Sequence, residues 1–181
     1  MSSILDPRVP QHWAMVGNTK LYSRLPIFLN AETFYMFGDN KFDEWSDFLS
    51  EYSPPPFKLP KHSPALSFGV AGPGSGVPFH FHGPGFGETV YGRKRWFLTE
   101  PATQPEFHPN KTTLQWFLQD YKDVKNEVYF SSTIFYSYHF LQVNLYECTI
   151  RPGEAIYFPD KWWHATLNID TAVFISTFLS P

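Results

Sequence analysis

The strongest constraint on the fold is that, after residue 64, apolar residues occur in short runs that glycine or proline soon interrupts. Short apolar runs bounded by turn residues are typical of β-strands, and proline cannot continue a helix. The runs predict strands at 65–70, 77–82, 88–91, 94–98, 145–150, 155–158, 162–167 and 172–179. Many short strands at close spacing indicate a mostly β barrel or sandwich.

Two short helices are expected beside these strands. Phe42, Trp45, Leu49 and Tyr52 fall at helical spacing after a strand-like run at 33–37. A second helix is predicted over 113–121. Its inward face is expected to consist of Leu114, Phe117, Leu118 and Tyr121.

The chain of 181 residues is long enough for one domain. Residues 1–30 show no sustained periodicity and are interpreted as a weakly structured lead-in, which leaves 31–181 as the domain. An aromatic segment at about 126–144 stands apart as an insert. Three interpretations of this segment are open: an extra hairpin, an exposed aggregation-prone segment, or a partner-binding flap.

Charge and composition exclude several classes of protein. Fourteen Lys and Arg against seventeen Asp and Glu give a net charge of −3, which is not the basic footprint of a nucleic-acid-binding protein or a polybasic membrane surface. No apolar run is long enough to span a bilayer. Cys148 is the only cysteine, so an intrachain disulfide and a Cys-only zinc site are excluded.

Three histidines are candidate metal ligands. His80 and His82 are two residues apart in a predicted strand, so both can face one ion, although two histidines on a solvated strand face would show the same spacing. His164 follows two tryptophans in another predicted strand, and such a histidine alone is usually a core residue. A barrel that brings the two strands together would give one ion three imidazole ligands.

These segments resemble the JmjC domain family of the cupin superfamily. The resemblance rests on the His80-x-His82 pair, on Gly92-Arg-Lys-Arg-Trp-Phe97 and on the block from Gly153 to His164. It runs from about Thr33 through Phe178. It implies a cupin-like double-stranded β-helix, which is a jelly-roll barrel, with two short flanking helices.

The resemblance implies Fe(II) or another divalent metal at His80, His82 and His164. The family pattern has a carboxylate where this chain has His82. Lys94 matches the lysine that pairs with 2-oxoglutarate, and the resemblance adds Asn168 and Ser176 as cofactor-binding candidates.

Two further positions are less polar than the family pattern. Val77 replaces a hydroxyl residue, and Phe178 stands where some relatives carry Asn. Since a buried carboxylate needs its hydrogen bonds, each lost partner costs about 1–3 kcal/mol, and 2-oxoglutarate is expected to bind weakly.

We therefore expect a catalytically degenerate JmjC-type domain that acts by binding other proteins. The resemblance implies roles in NF-kappa-B-type signalling and in metabolism. The alternative is an active Fe(II)/2-oxoglutarate-dependent protein hydroxylase with an unusual three-histidine centre. A third hypothesis is a cupin that holds zinc or another ion structurally. The sequence does not fix the oligomeric state.

Two features bear on location. The first residues lack the basic segment followed by an apolar segment that a signal peptide has, so as written they are not a signal peptide. If the chain is complete, we expect the protein to be cytoplasmic. Asn110 begins the glycosylation sequon Asn-Lys-Thr in a loop-like stretch, and the resemblance implies a glycoprotein of the endoplasmic reticulum lumen.

Overall fold

A computed structural model describes residues 34–39, 46–126, 128–130, 140–142 and 144–181. The strands are β1 Tyr35–Asp39, β2 Ser63–Ala71, β3 Gly76–His80, β4 Gly85–Tyr91, β5 Lys94–Thr99, β6 Val128–Phe130, β7 Phe140–Gln142, β8 Tyr146–Ile150, β9 Ala155–Phe158, β10 Trp163–Asn168 and β11 Ala172–Ser180. The helices are α1 Ser46–Ser50, α2 Thr113–Gln119 and α3 Tyr121–Asn126.

The strands form two main antiparallel sheets. One has the order β1-β2-β11-β4-β9 and the other the order β3-β10-β5-β8, while β6 and β7 pair with each other. Neighbours in the sheets are mostly distant in sequence, as β2 with β11 and β5 with β10 show. This arrangement confirms the mostly β, jelly-roll fold that the sequence predicted.

The four-stranded sheet has two faces with different partners. Residues at odd positions, such as Phe97 and Ala165, pack with Trp116 of α2 in one apolar core. The even positions face the other way, because successive side chains of a strand alternate between faces. Trp96 of that second face packs against Phe158 of the five-stranded sheet. The candidate site residues His80, Lys94 and His164 lie on this face.

α2 begins at a capping box. The hydroxyl of Thr112 accepts a hydrogen bond from the backbone N–H of Gln115, and the Gln115 side chain accepts one from the backbone N–H of Thr112. Such reciprocal pairs satisfy N–H groups that a helix start leaves open. They hold α2 against the outer face of the sheet. None of the described helices has the length and apolar character to cross a membrane.

The structure corrects some predicted details. The helix predicted over 113–121 is two consecutive helices, α2 and α3. Leu118 was predicted to face inward but is 54% exposed, whereas Trp116 is buried. β1 covers Tyr35–Asp39 and so extends beyond the strand-like run at 33–37. β3 ends at His80, so that His82 lies just beyond the strand.

Some predictions fall on residues that the structure does not describe. The lead-in at 1–30 lies outside the described residues, and so do Phe42 and Trp45 of the first predicted helix. Of the aromatic insert, only the last residue of α3, the strands β6 and β7, and Asn144 are described. The division into lead-in, domain and insert therefore stays a prediction.

Candidate metal centre

Strand pairing brings two of the three histidines together. His164 of β10 lies directly opposite His80 of β3 in the antiparallel register, and a register shift follows between His164 and Thr166. Opposite residues of antiparallel strands have neighbouring side chains on one face. The loop after β3 brings in His82, whose carbonyl accepts a hydrogen bond from the backbone N–H of Lys161 at 2.9 Å. Sequence-distant segments thus meet at one point.

The three imidazoles form one compact cluster. Their ring centroids are 4.2 Å apart for His80 and His164, 4.7 Å for His82 and His164, and 5.5 Å for His80 and His82. The ligand atoms that the three rings offer all lie within 4.8 Å of one another. Three donors at such separations can be reached by one ion with metal–nitrogen bonds of about 2.0–2.1 Å after small adjustments.

Hydrogen bonds fix which ring nitrogen can bind a metal. Nδ1 of His80 lies 2.8 Å from the carbonyl oxygen of Pro78, Nδ1 of His82 lies 2.7 Å from that of Gly83, and Nδ1 of His164 lies 3.0 Å from that of Trp162. A carbonyl oxygen only accepts, so Nδ1 carries the proton in each ring. Each Nε2 then has the lone pair that a metal needs, and the carbonyls orient the rings.

Burial favours the neutral form of His164 and His82. His164 is only 2% exposed, and burial, reinforced by repulsion from His80 and His82, lowers its pKa well below the usual value. Burial also lowers the pKa of His82. Neutral imidazole is the form that binds metals, so this donor set suits a divalent ion such as Zn²⁺ or Fe²⁺. The described cluster contains no carboxylate.

Aromatic rings surround the cluster. Phe158 stacks on His164 with centroids 4.9 Å apart and meets the edge of His82 at 5.2 Å. Phe178 contacts His82 at 5.0 Å, and Trp96 stacks on Phe158 at 5.6 Å and on His164 at 5.9 Å. These apolar neighbours limit water access and restrict how far the imidazoles can rotate.

The histidines border a small, partly open cavity between the two sheets. Its lining joins the inner face of the four-stranded sheet to aromatic residues of the five-stranded sheet. The lining residues are Tyr35, Phe37, Val77, His80, His82, Lys94, Trp96, Phe158, His164, Thr166, Phe174, Ser176 and Phe178. None of these described residues is acidic, so the three imidazoles are the candidate ligands for a metal ion in this cavity.

Lys94 lies in this cavity and is 2% exposed. Its Nζ has no hydrogen-bond partner among the described residues and lies 3.4 Å from the ring centroid of Phe174 and 5.5 Å from that of Tyr35. Burial lowers the pKa of Lys94 to about 7. The aromatic faces give the ammonium only partial compensation for lost hydration.

The other two predicted cofactor residues are placed differently. Ser176 of β11 is buried and lines the cavity. Asn168 of β10 is buried but is not among the lining residues, and its Nδ2 donates to Oγ of Ser75 at 3.0 Å. Asn168 thereby ties β10 to the turn before β3.

Sequence reasoning did not single out several lining residues, among them Thr166, Trp96 and Tyr35. Thr166 lies two positions after His164, and Trp96 two after Lys94, so strand alternation alone could have identified both. Tyr35 comes from the first strand, and no local pattern pointed to it. The hydroxyl of Thr166 accepts a hydrogen bond from the backbone N–H of Val77 at 3.2 Å.

The sequon lies away from this cavity. Asn110 is exposed in the turn before α2, and its backbone N–H donates to Nδ1 of His108 at 3.2 Å. An exposed turn is a position that a modifying enzyme can reach. Glycosylation of Asn110 itself stays a prediction.

Comparison with known proteins agrees with this geometry. JmjC domain-containing protein 8 of Mus musculus is 56% identical over 154 residues, which cover 85% of this chain and 52% of that protein. The Homo sapiens protein of the same name is 54% identical over 159 residues, 88% of this chain and 54% of its own length. The chain thus spans about half the length of these relatives.

The chain is also similar to a solved structure and to a family model. A variant of Bacillus subtilis oxalate decarboxylase resembles the fold with a TM-score of 0.40 and 13% sequence identity, covering 65% of this chain and 21% of that one. The model of the cupin-like domain matches residues 85–177. Because this match covers just over half of the chain, the chain belongs to the cupin-like domain family. The JmjC resemblance of its motifs predicted this membership.

Proposed function

We propose that this domain binds one divalent metal ion through Nε2 of His80, His82 and His164. The observation that carries the proposal is the convergence of three imidazoles whose Nδ1 atoms all face backbone carbonyls. Three protein ligands leave coordination positions open, and a bound ion there would act as a Lewis acid toward a ligand in the cavity.

We further propose that the domain is a poor oxygenase and acts mainly by binding another protein. The support is the lining of the cavity, where Val77 and Phe178 offer no hydrogen bonds to a dicarboxylate. The three-histidine cluster also lacks the carboxylate of the family pattern. A role in signalling or metabolism belongs to this proposal and rests on the JmjC resemblance.

One observation favours the alternative of an active Fe(II)/2-oxoglutarate-dependent hydroxylase. Lys94 Nζ is buried in the cavity with no acceptor among the described residues, and a carboxylate would supply one. In that case Lys94 would hold the cosubstrate by a charge-assisted hydrogen bond, with Ser176 of β11 lining the cavity from the other sheet. The surrounding aromatic rings would keep bulk water away.

Calorimetric titration of the metal-stripped chain tests the metal proposal. We expect one Zn²⁺ or Co²⁺ per chain, and at least a tenfold weaker affinity for His164→Ala. His62→Ala is the matched control, because His62 lies outside the cavity and its Nδ1 contacts the carbonyl of Pro60. Equal affinities of the two variants would contradict the site.

Anaerobic titration with 2-oxoglutarate in the presence of Fe²⁺ separates the two functional hypotheses. The poor-oxygenase proposal predicts no saturable binding at concentrations where metal binding is complete. Tight binding in a one-to-one ratio, abolished by Lys94→Ala, would instead support the hydroxylase.

We also propose that the natural protein is a glycoprotein of the endoplasmic reticulum lumen. The support is the exposed sequon at Asn110 together with the JmjC resemblance. Expression of the natural full-length protein in animal cells should give a glycosidase-sensitive band that Asn110→Gln removes. A band that glycosidase treatment leaves unchanged would contradict this proposal.

A further inference from the structure

Lys94 has an environment that differs from that of the exposed lysines in the described chain. It is 2% exposed, and its Nζ has no hydrogen-bond partner among the described residues. By contrast, Nζ of Lys111 donates to Asp120 at 2.6 Å, and Nζ of Lys125 donates to Glu147 at 2.6 Å. The buried amine therefore faces a cavity rather than a carboxylate.

The surroundings of Nζ disfavour the ammonium form. The ring of Phe174 covers Nζ at 3.4 Å, and the described lining contains no acidic residue. Burial lowers the pKa of Lys94 to about 7. At neutral pH a large fraction of this amine is unprotonated, whereas an ordinary lysine with a pKa near 10.4 is almost fully protonated.

An unprotonated amine is a nucleophile, and a carbonyl carbon is its natural partner. Lys94 borders a small, partly open cavity, so an aldehyde must itself be small to reach the buried Nζ. The rings of Phe174, Trp96 and Phe178 also line this cavity, and an apolar lining slows the hydrolysis of an imine. These conditions suit reversible imine chemistry.

We propose that Lys94 is a covalent attachment site for small aldehydes, which enter the cavity beside the three histidines and form an imine with Nζ. The lone pair of Nζ attacks the carbonyl carbon, and a C–N bond forms. The resulting carbinolamine loses its hydroxyl group and the nitrogen-bound hydrogen as one molecule of water. No oxidant or reductant takes part, and no metal is required.

Reductive trapping tests the proposal. The full chain is incubated at pH 7 with EDTA, sodium cyanoborohydride and either acetaldehyde or glyoxylate, and modified lysines are identified by peptide mass spectrometry. We expect Lys94 to be modified at least tenfold faster than the exposed Lys58, Lys61 and Lys122 with one or both aldehydes. Equal modification of Lys94 and the exposed lysines, or no modification of Lys94, would overturn the proposal.

The two aldehydes and the pH profile refine the result. Faster trapping of glyoxylate would indicate that the cavity prefers an aldehyde that carries a carboxylate. Faster trapping of acetaldehyde would indicate that it prefers a neutral aldehyde. The groups that share the cavity with Nζ are Tyr35, His80, His82 and His164, and none is a carboxylate. The trapping rate at Lys94 should therefore level off above about pH 7, whereas the rates at exposed lysines should keep rising.

Variants separate this inference from the metal proposal. Lys94→Arg keeps a cation but cannot form an imine, so this variant should lose the fast modification at position 94. Lys122→Arg should retain the fast modification of Lys94. Because the reaction runs in EDTA, a failure to bind metal would leave its outcome unaffected. If Lys94→Arg does not fold, the comparison of lysines within the unaltered chain still decides the question.

Discussion

At the residue scale, the centre of this molecule combines groups that are costly to bury. Three neutral imidazoles each satisfy Nδ1 with a backbone carbonyl, whereas Lys94 has no such partner among the described residues. Buried polar groups without partners reduce stability, and proteins tolerate them mainly where function needs them. Lys94 is therefore better explained by a ligand than by packing.

Replacing Lys94 by Met should stabilise the domain. A pKa lowered from 10.5 to about 7 corresponds to on the order of 4 kcal/mol of unfavourable free energy near neutral pH. Methionine removes that cost while keeping much of the side-chain volume. Urea unfolding should show a higher free energy of unfolding for Lys94→Met, with the exposed Lys122→Met within about 0.5 kcal/mol of the parent. A less stable Lys94→Met would mean that the amine has a stabilising partner.

The sequence allowed much of the site to be predicted, because strand alternation is a local rule. It placed His80 beside His82, and the JmjC resemblance linked them to His164 and Lys94. The position of Asn168 could not be predicted in this way, since its hydrogen bond to Ser75 depends on how β10 meets the turn before β3. The contact of Tyr35 with Lys94 depends on the packing of distant sheets.

At the element scale, the site depends on how closely β3 approaches β10. Gly76 of β3 faces the backbone of Thr166, and a Cβ atom there would collide with the carbonyl oxygen of Thr166. The close approach keeps His80 opposite His164. Glycine is needed at this position because no side chain fits between the strands.

Gly76→Ala should therefore destabilise the domain by about 1–3 kcal/mol and weaken metal binding, because β3 must move away from β10. Gly38→Ala in β1 is the matched control, since a Cβ atom there meets nothing within 4 Å. Thermal unfolding and zinc titration of both variants measure the two effects. The same melting temperature and zinc affinity for both would contradict the close-approach explanation.

A polar network joins β5, β8 and α3 on the outside of the sheet. Arg95 and Lys125 each donate to Glu147 at 2.6 Å, and the hydroxyl of Tyr121 donates at 2.9 Å. Partial burial alone would raise the pKa of Glu147, but these hydrogen bonds outweigh it and lower the pKa to about 2. The carboxylate therefore contributes stability that is present above the unfolded pKa of about 4.3.

That stability should be lost as the pH falls from about 4 through about 2. We expect Glu147→Gln to cost about 1–3 kcal/mol at pH 7 and to flatten this part of the acid unfolding curve. The exposed Glu51→Gln should leave the curve unchanged. Acid titrations followed by circular dichroism would contradict the account if Glu147→Gln and the parent unfold along the same curve.

At the scale of the whole molecule, two sheets enclose the histidines between them. The pKa values of His82 and His164 are lowered by burial, so the folded chain binds fewer protons than the unfolded chain below the unfolded pKa of about 6.5. Their neutral forms thus contribute stability that is present above pH 6.5. That contribution is lost as the pH falls toward the lowered pKa values.

The metal-free protein should therefore lose stability between about pH 7 and pH 5. Added zinc should raise the melting temperature at pH 7 and do so progressively less at lower pH, because protons compete for the same nitrogens. Scanning calorimetry with and without zinc measures both effects, and His62→Ala serves as the control. Stability that is constant from pH 7 to pH 5 without metal would contradict the buried-imidazole account.

The most direct test of the central claim is X-ray absorption spectroscopy of the chain loaded with one equivalent of Zn²⁺. The account predicts three imidazole nitrogens at about 2.0–2.1 Å, completed by light oxygen or nitrogen ligands. In His82→Ala the imidazole contribution should fall by one ligand. A parent spectrum with fewer than three imidazoles, or with a sulfur ligand from Cys148, would contradict a metal centre formed by His80, His82 and His164.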